Sequence, residues 1–577
     1  MTDGLHHDVR PRWTVGKIGV IGPGIVGTPM AALLAASTDL EGRRPEVVVV
    51  QRDSATSGWK VAAINRGESP IGGLEPGLDQ LVREAVRAGK LRATHDYHEL
   101  SDADVILVCV QTDQTGFAPD YGPLFDALDH LAGALRHRPV GHVPIVVFES
   151  TLAPSSMTTV IRDHFASFGL QEGRDVLLGN SPNRVMPGRL VERVAGSDKI
   201  AGGLCPTTAG TIQQLYGRIV TGGQVHATNS LTAEIVKTLE NAYRDVRIAF
   251  TSEVARYCDE HDIAFYEVRE SVNGRLTQPD GASGDPRAVP SGGLLVPTVG
   301  VGGHCLPKDG ILLWWRRREA GVDHARSLIL EARRINDESP AACVTLAERA
   351  FGSIKGRSVA LLGTAYRFDS EDTRNSPTLA LARELERCDC SVTLQDPYVR
   401  PEDQNLRKFG FTNRFTNDLA SAVDAAELAF LCTAHGVYRS TLPSALAGRP
   451  IKAVVDGCNF WNRSDAAAAG VAYAGIGRGM GSPDSAFLDF VYEAFRVMER
   501  ALANEVHELV AFLNESYAGD AYNRVDFREV QRLARTCVTG CDIVDPGPIS
   551  VVPEYRGFTS RLTMLAVEPS RVGANGH

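Results

Sequence analysis

One short loop carries the residues with the clearest chemical use. Residues 298–309 read TVGVGGHCLPKD, with three glycines before a single cysteine and a lysine and an aspartate within four residues after it. Glycine has no Cβ, so such a run lets the backbone approach a bound molecule closely and presents Cys305 to it. This pattern is typical of a nucleophile loop. A lone cysteine in a glycine-rich turn is equally often a small buried side chain without a reaction to perform.

A second motif, near the amino terminus, has the spacing of a phosphate-binding turn. The sequence GPGIVG follows a predicted strand at Lys17–Ile21 and opens a helical pattern that runs through Ala35. Backbone N–H groups at the start of a helix can hold a pyrophosphate, and the sequence G-x-G-x-x-G suits such a turn. The predicted dinucleotide contacts of this turn are Gly22, Gly24, Ile25, Val26 and Gly27.

The next predicted strand bears on the choice of dinucleotide. It covers residues 46–50 and ends at Gln51, where an acid would bind the ribose hydroxyls of NAD. Asp53 lies two residues later and could take that role. Arg52 beside a missing acid is instead the arrangement that tolerates the 2′-phosphate of NADP. All three residues are predicted to contact the cofactor, and NAD and NADP both fit the pattern.

Alternating elements are expected to position these motifs. Two further predicted strands, at residues 103–110 and 143–148, are separated by helical patterns and are followed by Thr112 and Thr151. Such alternation predicts an α/β fold with a doubly wound parallel sheet, whose ligands lie at the carboxyl ends of the strands. Both threonines would lie at that edge, although a threonine after a strand often only closes a turn.

Two long helices are predicted further along the chain. The first begins at Asn229, and Lys237, Asn241 and Arg244 share one of its faces because they are four and three residues apart. A charged stripe of this kind is usually the solvated face. The second covers residues 487–513, where apolar residues recur every three or four positions, and we expect it to pack as an amphipathic helix.

Composition excludes several classes of protein. The chain has 577 residues and a net charge of −10, which argues against nucleic acid as a partner. It has no apolar run of about 18 residues and no signal-peptide core, so we expect no membrane partner. The 11 cysteines have no disulfide or zinc spacing, which favours a reducing compartment, the cytoplasm, and predicts no metal site.

Taken together, the motifs resemble those of the UDP-glucose/GDP-mannose dehydrogenase family, the NAD-dependent nucleotide-sugar 6-dehydrogenases. GVGGHCLPKD resembles the active-site signature of the family, and further motifs follow in the family's order from about residue 17 to residue 479. SPNRVMPGR at residues 181–189 and EST at residues 149–151 resemble the branch that oxidises N-acetylated UDP-hexosamines. The resemblance implies NAD as the cofactor, a nucleotide-sugar substrate and a role in polysaccharide or secondary-metabolite biosynthesis.

The resemblance also implies a domain order. It predicts an NAD-binding Rossmann domain at residues 1–227, a central helical domain at 228–350 and a Rossmann-like UDP-sugar domain at 351–480. Residues 481–577 form an extension outside the resemblance. Because the family associates through its central helix, we expect a homodimer formed through that helix.

By the same resemblance, particular residues gain roles. Cys305 would attack the aldehyde from a first oxidation, and the thiohemiacetal would lose a second hydride to become a thioester. The other catalytic residues implied are Lys237, Asn241, Asp309 and Thr151, and Thr112 and Thr151 would lie near the cofactor. The substrate contacts implied are Asn183, Arg184, Lys237, Asn241, Gly303, Tyr366, Arg367, Arg374 and Arg287.

Asn183 is the departure from the family that matters most for the reaction. The family usually has glutamate there, and an amide cannot take a proton. Three outcomes are then open. Glu149 or another nearby carboxylate takes over the proton transfer, Asp309 acts alone and thioester hydrolysis is slow, or the reaction stops short of the acid. We favour slow hydrolysis, which Asn183→Glu would speed. Two rival hypotheses are a hydroxyacid dehydrogenase and a non-catalytic nucleotide-binding descendant of the family.

Overall fold

The structure, a computed structural model, describes residues 15–566 except residues 186, 277–292, 425 and 539. The chain forms two compact units. The first takes residues up to 240 together with 311–322 and 508–542, and the second takes 241–310, 323–507 and the residues from 543 onward. The predicted division at residues 227, 350 and 480 stays a prediction.

The first unit is built on an eight-stranded sheet in the order β10-β9-β8-β7-β4-β1-β2-β3. All neighbours are parallel except β8 and β9. Successive connections diverge between β1 and β4, which is the switch point where a doubly wound sheet binds its ligand. A separate antiparallel hairpin joins β5 and β6. The strands are β1 (Lys17–Ile21), β2 (Glu46–Val50), β3 (Leu91–Thr94), β4 (Val105–Val108), β5 (Asp113–Thr115), β6 (Ala118–Asp120), β7 (Ile145–Phe148), β8 (Leu177–Asn180), β9 (Lys199–Gly203) and β10 (Val225–Asn229).

The second unit contains a six-stranded parallel sheet in the order β13-β12-β11-β14-β15-β16. This order matches the strands β3-β2-β1-β4-β7-β8 of the first sheet, which begin at its β3 edge. The strands are β11 (Ser358–Leu362), β12 (Ser391–Gln395), β13 (Phe415–Thr416), β14 (Leu428–Leu431), β15 (Ala453–Asp456) and β16 (Ala472–Gly475). The predicted fold class, α/β with two Rossmann-like domains, a central helical domain and a helical extension, is confirmed.

Burial of the strands on both faces explains why they read as continuous apolar runs. Val47 to Val50 of β2 and Val105 to Val108 of β4 are all buried, because helices cover both faces of a parallel sheet. The strands predicted at residues 103–110 and 143–148 are therefore present, but they are shorter than their apolar runs.

Helices make up most of the remaining regular structure. The α-helices of the described residues are α1 (Gly27–Ala36), α2 (Trp59–Asn65), α3 (Leu78–Arg87), α4 (Gly122–Leu135), α5 (Arg162–Ser167), α6 (Leu190–Gly196), α7 (Pro206–Tyr216), α8 (Ser230–Glu260), α9 (Phe265–Leu276), α10 (Leu306–Glu319), α11 (Leu328–Asp337), α12 (Ser339–Phe351), α13 (Pro377–Arg387), α14 (Gln404–Phe409), α15 (Leu419–Val423), α16 (Tyr438–Leu446), α17 (Arg463–Ala468), α18 (Ser485–Tyr517), α19 (Phe527–Ala534) and α20 (Arg561–Met564). Shorter 3-10 or π turns lie at Tyr97–Leu100, Met157–Ile161, His324–Arg326 and Thr412–Arg414. In the part of the chain described, no helix is long and apolar enough to cross a membrane.

Both long helices predicted from the sequence are present. α8 has 31 residues, of which 230–240 belong to the first unit and 241–260 to the second. α18 has 33 residues and opens the extension. Its apolar stripe is buried at Phe487, Phe495 and Leu502, as the spacing of three and four predicts.

Candidate active site

The phosphate-binding turn of the first unit has the geometry that its three glycines suggest. Gly22 has φ of 92°, and a Cβ there would lie 2.9 Å from the carbonyl oxygen of Cys109. A Cβ on Gly27 would lie 2.1 Å from the Gly22 oxygen, so α1 approaches the turn too closely for any side chain. At Gly24 an added Cβ would meet nothing within 4 Å. The backbone around Gly24, with Ile25 and Val26, is therefore open to a dinucleotide pyrophosphate at the start of α1.

The end of β2 carries the residues that would read the adenosine ribose. The side-chain nitrogen of Gln51 donates to Ser57 Oγ over 2.9 Å and to the Arg52 carbonyl over 3.2 Å. This leaves the amide oxygen of Gln51 as a possible acceptor for a hydroxyl. Arg52 is paired with Asp126 at 3.0 Å, but both side chains are largely exposed, so this ion pair holds the guanidinium only weakly. Asp53 is exposed.

Thr112 and Thr151, predicted to lie at the same sheet edge, are in contact. The Thr112 hydroxyl donates to the Thr151 carbonyl over 2.7 Å, in a buried position. They follow β4 and β7, which are neighbours in the sheet. Parallel strands end at one edge, and this explains why residues 39 positions apart meet.

Asn183 belongs to a buried polar cluster around Glu149. Its side-chain nitrogen donates to Glu149 Oε2 over 3.1 Å, and Lys199 Nζ lies 2.8 Å from the same oxygen. Tyr216 donates its hydroxyl to Glu149 Oε1. Burial raises the pKa of Tyr216 well above its usual value, and the Glu149 charge raises it further, so the phenol keeps its proton. Glu149 therefore accepts from a cation, a phenol and an amide.

Arg184 is likewise buried among polar groups of the first unit. It pairs with Glu240, and the side chains are 6% and 3% exposed. Burial raises the pKa of the Glu240 carboxyl, while the charges of Arg184 and Lys237 act in the opposite direction. Lys237 lies three residues before Glu240 in α8, and its charge interacts with the Glu240 carboxylate. The predicted role of Arg184 in substrate binding stays a prediction.

In the second unit, the glycines before Cys305 pack against a loop that follows β11. Gly303 has φ of 89°, and a Cβ there would lie 2.9 Å from the Tyr366 ring. The Gly303 N–H donates to the Arg374 carbonyl over 2.8 Å, and the Gly303 carbonyl accepts from Asn375 over 3.0 Å. A side chain at position 303 would break this contact, which holds the Cys305 loop against Tyr366.

Cys305 itself precedes α10 and is partly exposed. Its carbonyl accepts from the backbone N–H groups of Lys308 and Asp309, over 3.1 and 2.9 Å. Asp309 lies one turn later, fully buried, and binds two side chains. Asn241 Nδ2 donates to one of its oxygens over 2.5 Å, and Lys308 Nζ donates to the other over 2.8 Å. The predicted catalytic residues Asn241 and Asp309 are therefore in direct contact.

The other predicted substrate residues of this unit follow β11 in one loop. Arg374 makes a two-pronged contact with Asp372, with distances of 2.9 and 2.5 Å. Although burial acts to lower it, this hydrogen bonding raises the pKa of Arg374, which stays charged. The Arg367 guanidinium lies 4.9 Å from the Phe368 ring centre. Arg287 lies outside the described residues.

Several residues of these clusters were not assigned a role from the sequence. Lys308 lies in the motif at residues 298–309, and its position next to Asp309 in the sequence could have indicated that the two side chains pair. Lys199 and Tyr216 gave no signal, because only the packing of α7 and β9 brings them to Glu149. Thr536, which contacts Arg184, is 352 residues away in sequence and outside every motif.

Comparisons with known proteins show which family the chain resembles. Three models of the UDP-glucose/GDP-mannose dehydrogenase family match the chain: the NAD binding domain at residues 16–220, the central domain at 231–338 and the UDP binding domain at 360–463. The predicted phosphate-binding turn lies in the first match, and Cys305 lies in the second. The chain is therefore an NAD-dependent dehydrogenase acting on an alcohol group, and NAD is its cofactor.

Individual relatives point to one branch of the family. The UDP-N-acetyl-D-mannosamine dehydrogenase of Pyrococcus horikoshii is 31% identical over 470 residues, which is 80% of this chain and 99% of that protein. The NDP-N-acetyl-D-galactosaminuronic acid dehydrogenase of Ralstonia nicotianae is 30% identical, over 78% and 97%. The crystal structure of the NDP-N-acetyl-D-galactosaminuronic acid dehydrogenase from Methanosarcina mazei Go1 is 32% identical, with a TM-score of 0.64 over 82% and 97%. The chain belongs to the UDP-glucose/GDP-mannose dehydrogenase family, in its N-acetylhexosamine branch.

Proposed function

We propose that this enzyme oxidises C6 of a nucleotide-linked N-acetylhexosamine, or of a related UDP-hexose, from alcohol to carboxylate. The observation that carries the proposal is the arrangement of Cys305, Asp309 and Asn241 in the second unit. The partly exposed residue Cys305 precedes α10, and the buried carboxylate of Asp309, one turn later, accepts a hydrogen bond from the Asn241 amide. Cysteine is the residue that a thioester route requires, and a plain alcohol-to-aldehyde dehydrogenase would have no use for it.

The proposed route through Cys305 consists of two oxidations followed by hydrolysis of a thioester. The first removes a hydride from C6 and a proton from its hydroxyl group and gives an aldehyde. The Cys305 sulfur then adds to the aldehyde carbon to form a thiohemiacetal, whose loss of a second hydride and a proton leaves a thioester. Water adds to that carbonyl, the sulfur leaves, and the uronate is released. Each oxidation would pass its hydride to a separate NAD molecule, and the turn at Gly22, Gly24 and Gly27 would hold the pyrophosphate of that cofactor.

Oxygen carries negative charge in both addition steps, so donors near C6 lower the barrier. We assign this role to Asn241 and Lys237. Asn241 Nδ2 is already bound to Asp309, and this bond fixes the orientation of the amide. Lys308 neutralises Asp309 on its other oxygen. We therefore propose that Asp309, with Thr151, positions the hydrolytic water and that it does not act as a free base.

The same proposal covers the predicted substrate contacts. Tyr366 and Arg374 adjoin the Cys305 loop through Gly303, which supports a nucleotide sugar lying along that loop. Guanidinium groups suit a diphosphate because their N–H groups match its oxygens in pairs. Arg367 lies on the same segment. The cytoplasm is the proposed location.

Self-association is a separate part of the proposal. In the second unit, α8 carries contacts from the extension of its own chain. The Phe250 and Phe495 rings lie 5.7 Å apart, and the Tyr257 ring stacks on Phe487 at 5.2 Å. A homodimer through this helix stays a prediction, and it requires a surface that α18 leaves uncovered.

The test is oxidation of a panel of nucleotide sugars, with NAD or NADP, followed by absorbance and by mass spectrometry of the product. We expect two NADH for each uronate, with UDP-N-acetylhexosamines oxidised fastest. Cys305→Ser should abolish sustained uronate formation while NAD binding stays intact. Cys388→Ser, which makes the same change at another partly exposed cysteine, should have no effect. Uronate production by the Cys305 variant at the wild-type rate would refute the covalent route.

The same assay separates the alternatives. One NADH per sugar, with aldehyde as the product, would mean that the reaction stops short of the acid, as the neutral Asn183 allows. Binding of a nucleotide sugar without any NADH would indicate a non-catalytic nucleotide-binding protein. The presence of Cys305 together with Asn241 and Asp309 favours a catalytic protein, because Asn241 donates to the Asp309 carboxylate and the Asp309 N–H donates to the Cys305 carbonyl.

A further inference from the structure

The extension reaches residues that the proposed function uses. The family models end at residue 463, and the relatives described above cover about four-fifths of the chain. Nevertheless, residues 508–542 belong to the first compact unit, which holds the phosphate-binding turn. α19 and the turn after it present a carbonyl and a hydroxyl to a buried guanidinium, that of Arg184.

Arg184 has its terminal nitrogens fully engaged. Nη1 donates to Thr536 Oγ1 over 2.8 Å and to the Asp198 carbonyl over 3.3 Å. Nη2 donates to Glu240 and, over 3.1 Å, to the Leu533 carbonyl. A guanidinium has four N–H groups on its terminal nitrogens, so these contacts use all of them. The extension supplies two of the four acceptors, and without them buried N–H groups would lack partners.

A second contact places the same segment at the start of α8. Asn229 accepts from the Thr232 N–H over 2.7 Å, as a helix-capping side chain does. Its amide nitrogen donates to the carbonyls of Tyr522 and Arg524, over 2.9 and 3.0 Å. The extension therefore contacts the first unit's part of α8 at both ends, at Asn229 and, through Arg184, at Glu240. Lys237 lies between these two points.

We propose that the extension is part of the active-site framework and that Thr536 is a positioning residue for the oxidation. Thr536 and the Leu533 carbonyl hold Arg184 on Glu240, and this contact fixes the substrate loop at residues 181–185 against the turn of α8 that carries Lys237. Arg184 is then an anchor for that loop, with no terminal N–H left for the diphosphate. The inference rests on the proposed function for its effect on catalysis, but the contact itself is independent of it.

The test compares three full-length variants. Thr536→Val keeps the shape of the side chain and removes the acceptor for Arg184, and Thr536→Ser restores the hydroxyl. Thr563→Val is the matched control, because Thr563 also lies in the extension and donates to a carbonyl three residues earlier, that of Ser560, as Thr536 does to Leu533. We measure amide hydrogen exchange of the peptide covering residues 181–185, and kcat and KM for a nucleotide sugar that the wild type oxidises.

We expect Thr536→Val to speed exchange in that peptide about tenfold and to lower kcat/KM by about tenfold, the effect of losing one hydrogen bond to a charged group. Thr536→Ser should restore both, and Thr563→Val should change neither. Equal behaviour of the two valine variants would overturn the proposal, as would faster exchange with unchanged kinetics. A wild type that oxidises no nucleotide sugar refutes the proposed function, whereas the exchange measurement still tests the Arg184 contact.

Discussion

Asn183→Glu is the substitution for which sequence and structure predict opposite results. The sequence predicts faster thioester hydrolysis, because a carboxylate can take a proton and an amide cannot. In the structure, Asn183 donates to a buried carboxylate, that of Glu149, over 3.1 Å. A glutamate side chain in this place would set a second carboxylate against the first, with Lys199 as a cation 2.8 Å from Glu149. We therefore expect a loss of stability without faster hydrolysis.

The size of the loss follows from two limits. Two unit charges separated by the 3.1 Å of this contact repel by about 5 kcal/mol at an effective dielectric constant of 20. Protonation of the introduced carboxyl limits this cost, because holding a carboxyl of ordinary pKa in its acid form at pH 7 costs about 4 kcal/mol. The smaller cost decides, so we expect the free energy of unfolding to fall by about 3 to 4 kcal/mol at pH 7.

The pH dependence of that loss identifies its cause. In the folded variant the pKa of the introduced carboxyl is raised by the neighbouring carboxylate, so the folded state binds a proton that the unfolded chain has lost. The variant's stability relative to wild type is then highest below about pH 4. It falls by about 1.4 kcal/mol per pH unit as the pH rises toward the raised pKa. Urea unfolding at pH 5 and pH 7.5 should give a much larger deficit at the higher pH.

A swap variant supplies the control. Glu149→Gln combined with Asn183→Glu exchanges the amide and the carboxylate, so that one donor and one acceptor again face each other and Lys199 keeps an anion nearby. We expect the swap to recover at least half of the lost stability at pH 7.5. A stability deficit that is equal at both pH values, or absent, would show that repulsion between the introduced carboxylate and Glu149 does not cause the loss. Faster hydrolysis at unchanged stability would favour the sequence-based interpretation.

Three further predictions concern the ion pair, the cofactor and the assembly. Lys308→Met should lower the free energy of unfolding in urea by about 3 kcal/mol or more, because it leaves the buried Asp309 charge without its cation. Lys355→Met is the control and should change this free energy little, because the side chains of the Lys355–Asp389 pair are about 70% exposed. Gln51→Asp should raise the ratio of kcat/KM with NAD to that with NADP by restoring a ribose acceptor, and an unchanged ratio would remove Gln51 from the cofactor site. Light scattering should give more than the 62.2 kDa of one chain if the predicted homodimer forms, and a monomer at micromolar concentration would exclude it.

The sequence predicted the two Rossmann-like sheets because apolar runs and helical periods are local signals. Val47 to Val50 of β2 and Val359 to Leu362 of β11 are buried runs within single strands, and each run is recognisable without knowledge of its neighbours. The 33 residues of α18 show the same, since a spacing of three and four needs only one buried face. Strand ends were less predictable, because apolar residues continue past the last ladder hydrogen bond.

The site was predictable only where one motif holds several of its residues. Cys305 and Asp309 are four residues apart, so the motif that names one names the other. Lys199 reaches Glu149 from 50 residues away, and Thr536 reaches Arg184 from 352 residues away. Contacts of this kind depend on how strands and helices pack, and a single sequence carries no period or spacing that reports them. The structure explains why residue 183 is an amide, because Asn183 donates a hydrogen bond to the Glu149 carboxylate from 34 residues away.

A thioester on Cys305 that water cleaves slowly should be detectable by rapid mixing of the enzyme with excess NAD and nucleotide sugar. We expect a burst of about two NADH per active site, one for each hydride, followed by a slower steady rate. Acid quenching during the steady phase should then give a uronyl adduct on the Cys305 peptide by mass spectrometry. A linear trace from the first turnover, with no adduct on that peptide, would rule out a slowly hydrolysed thioester on Cys305.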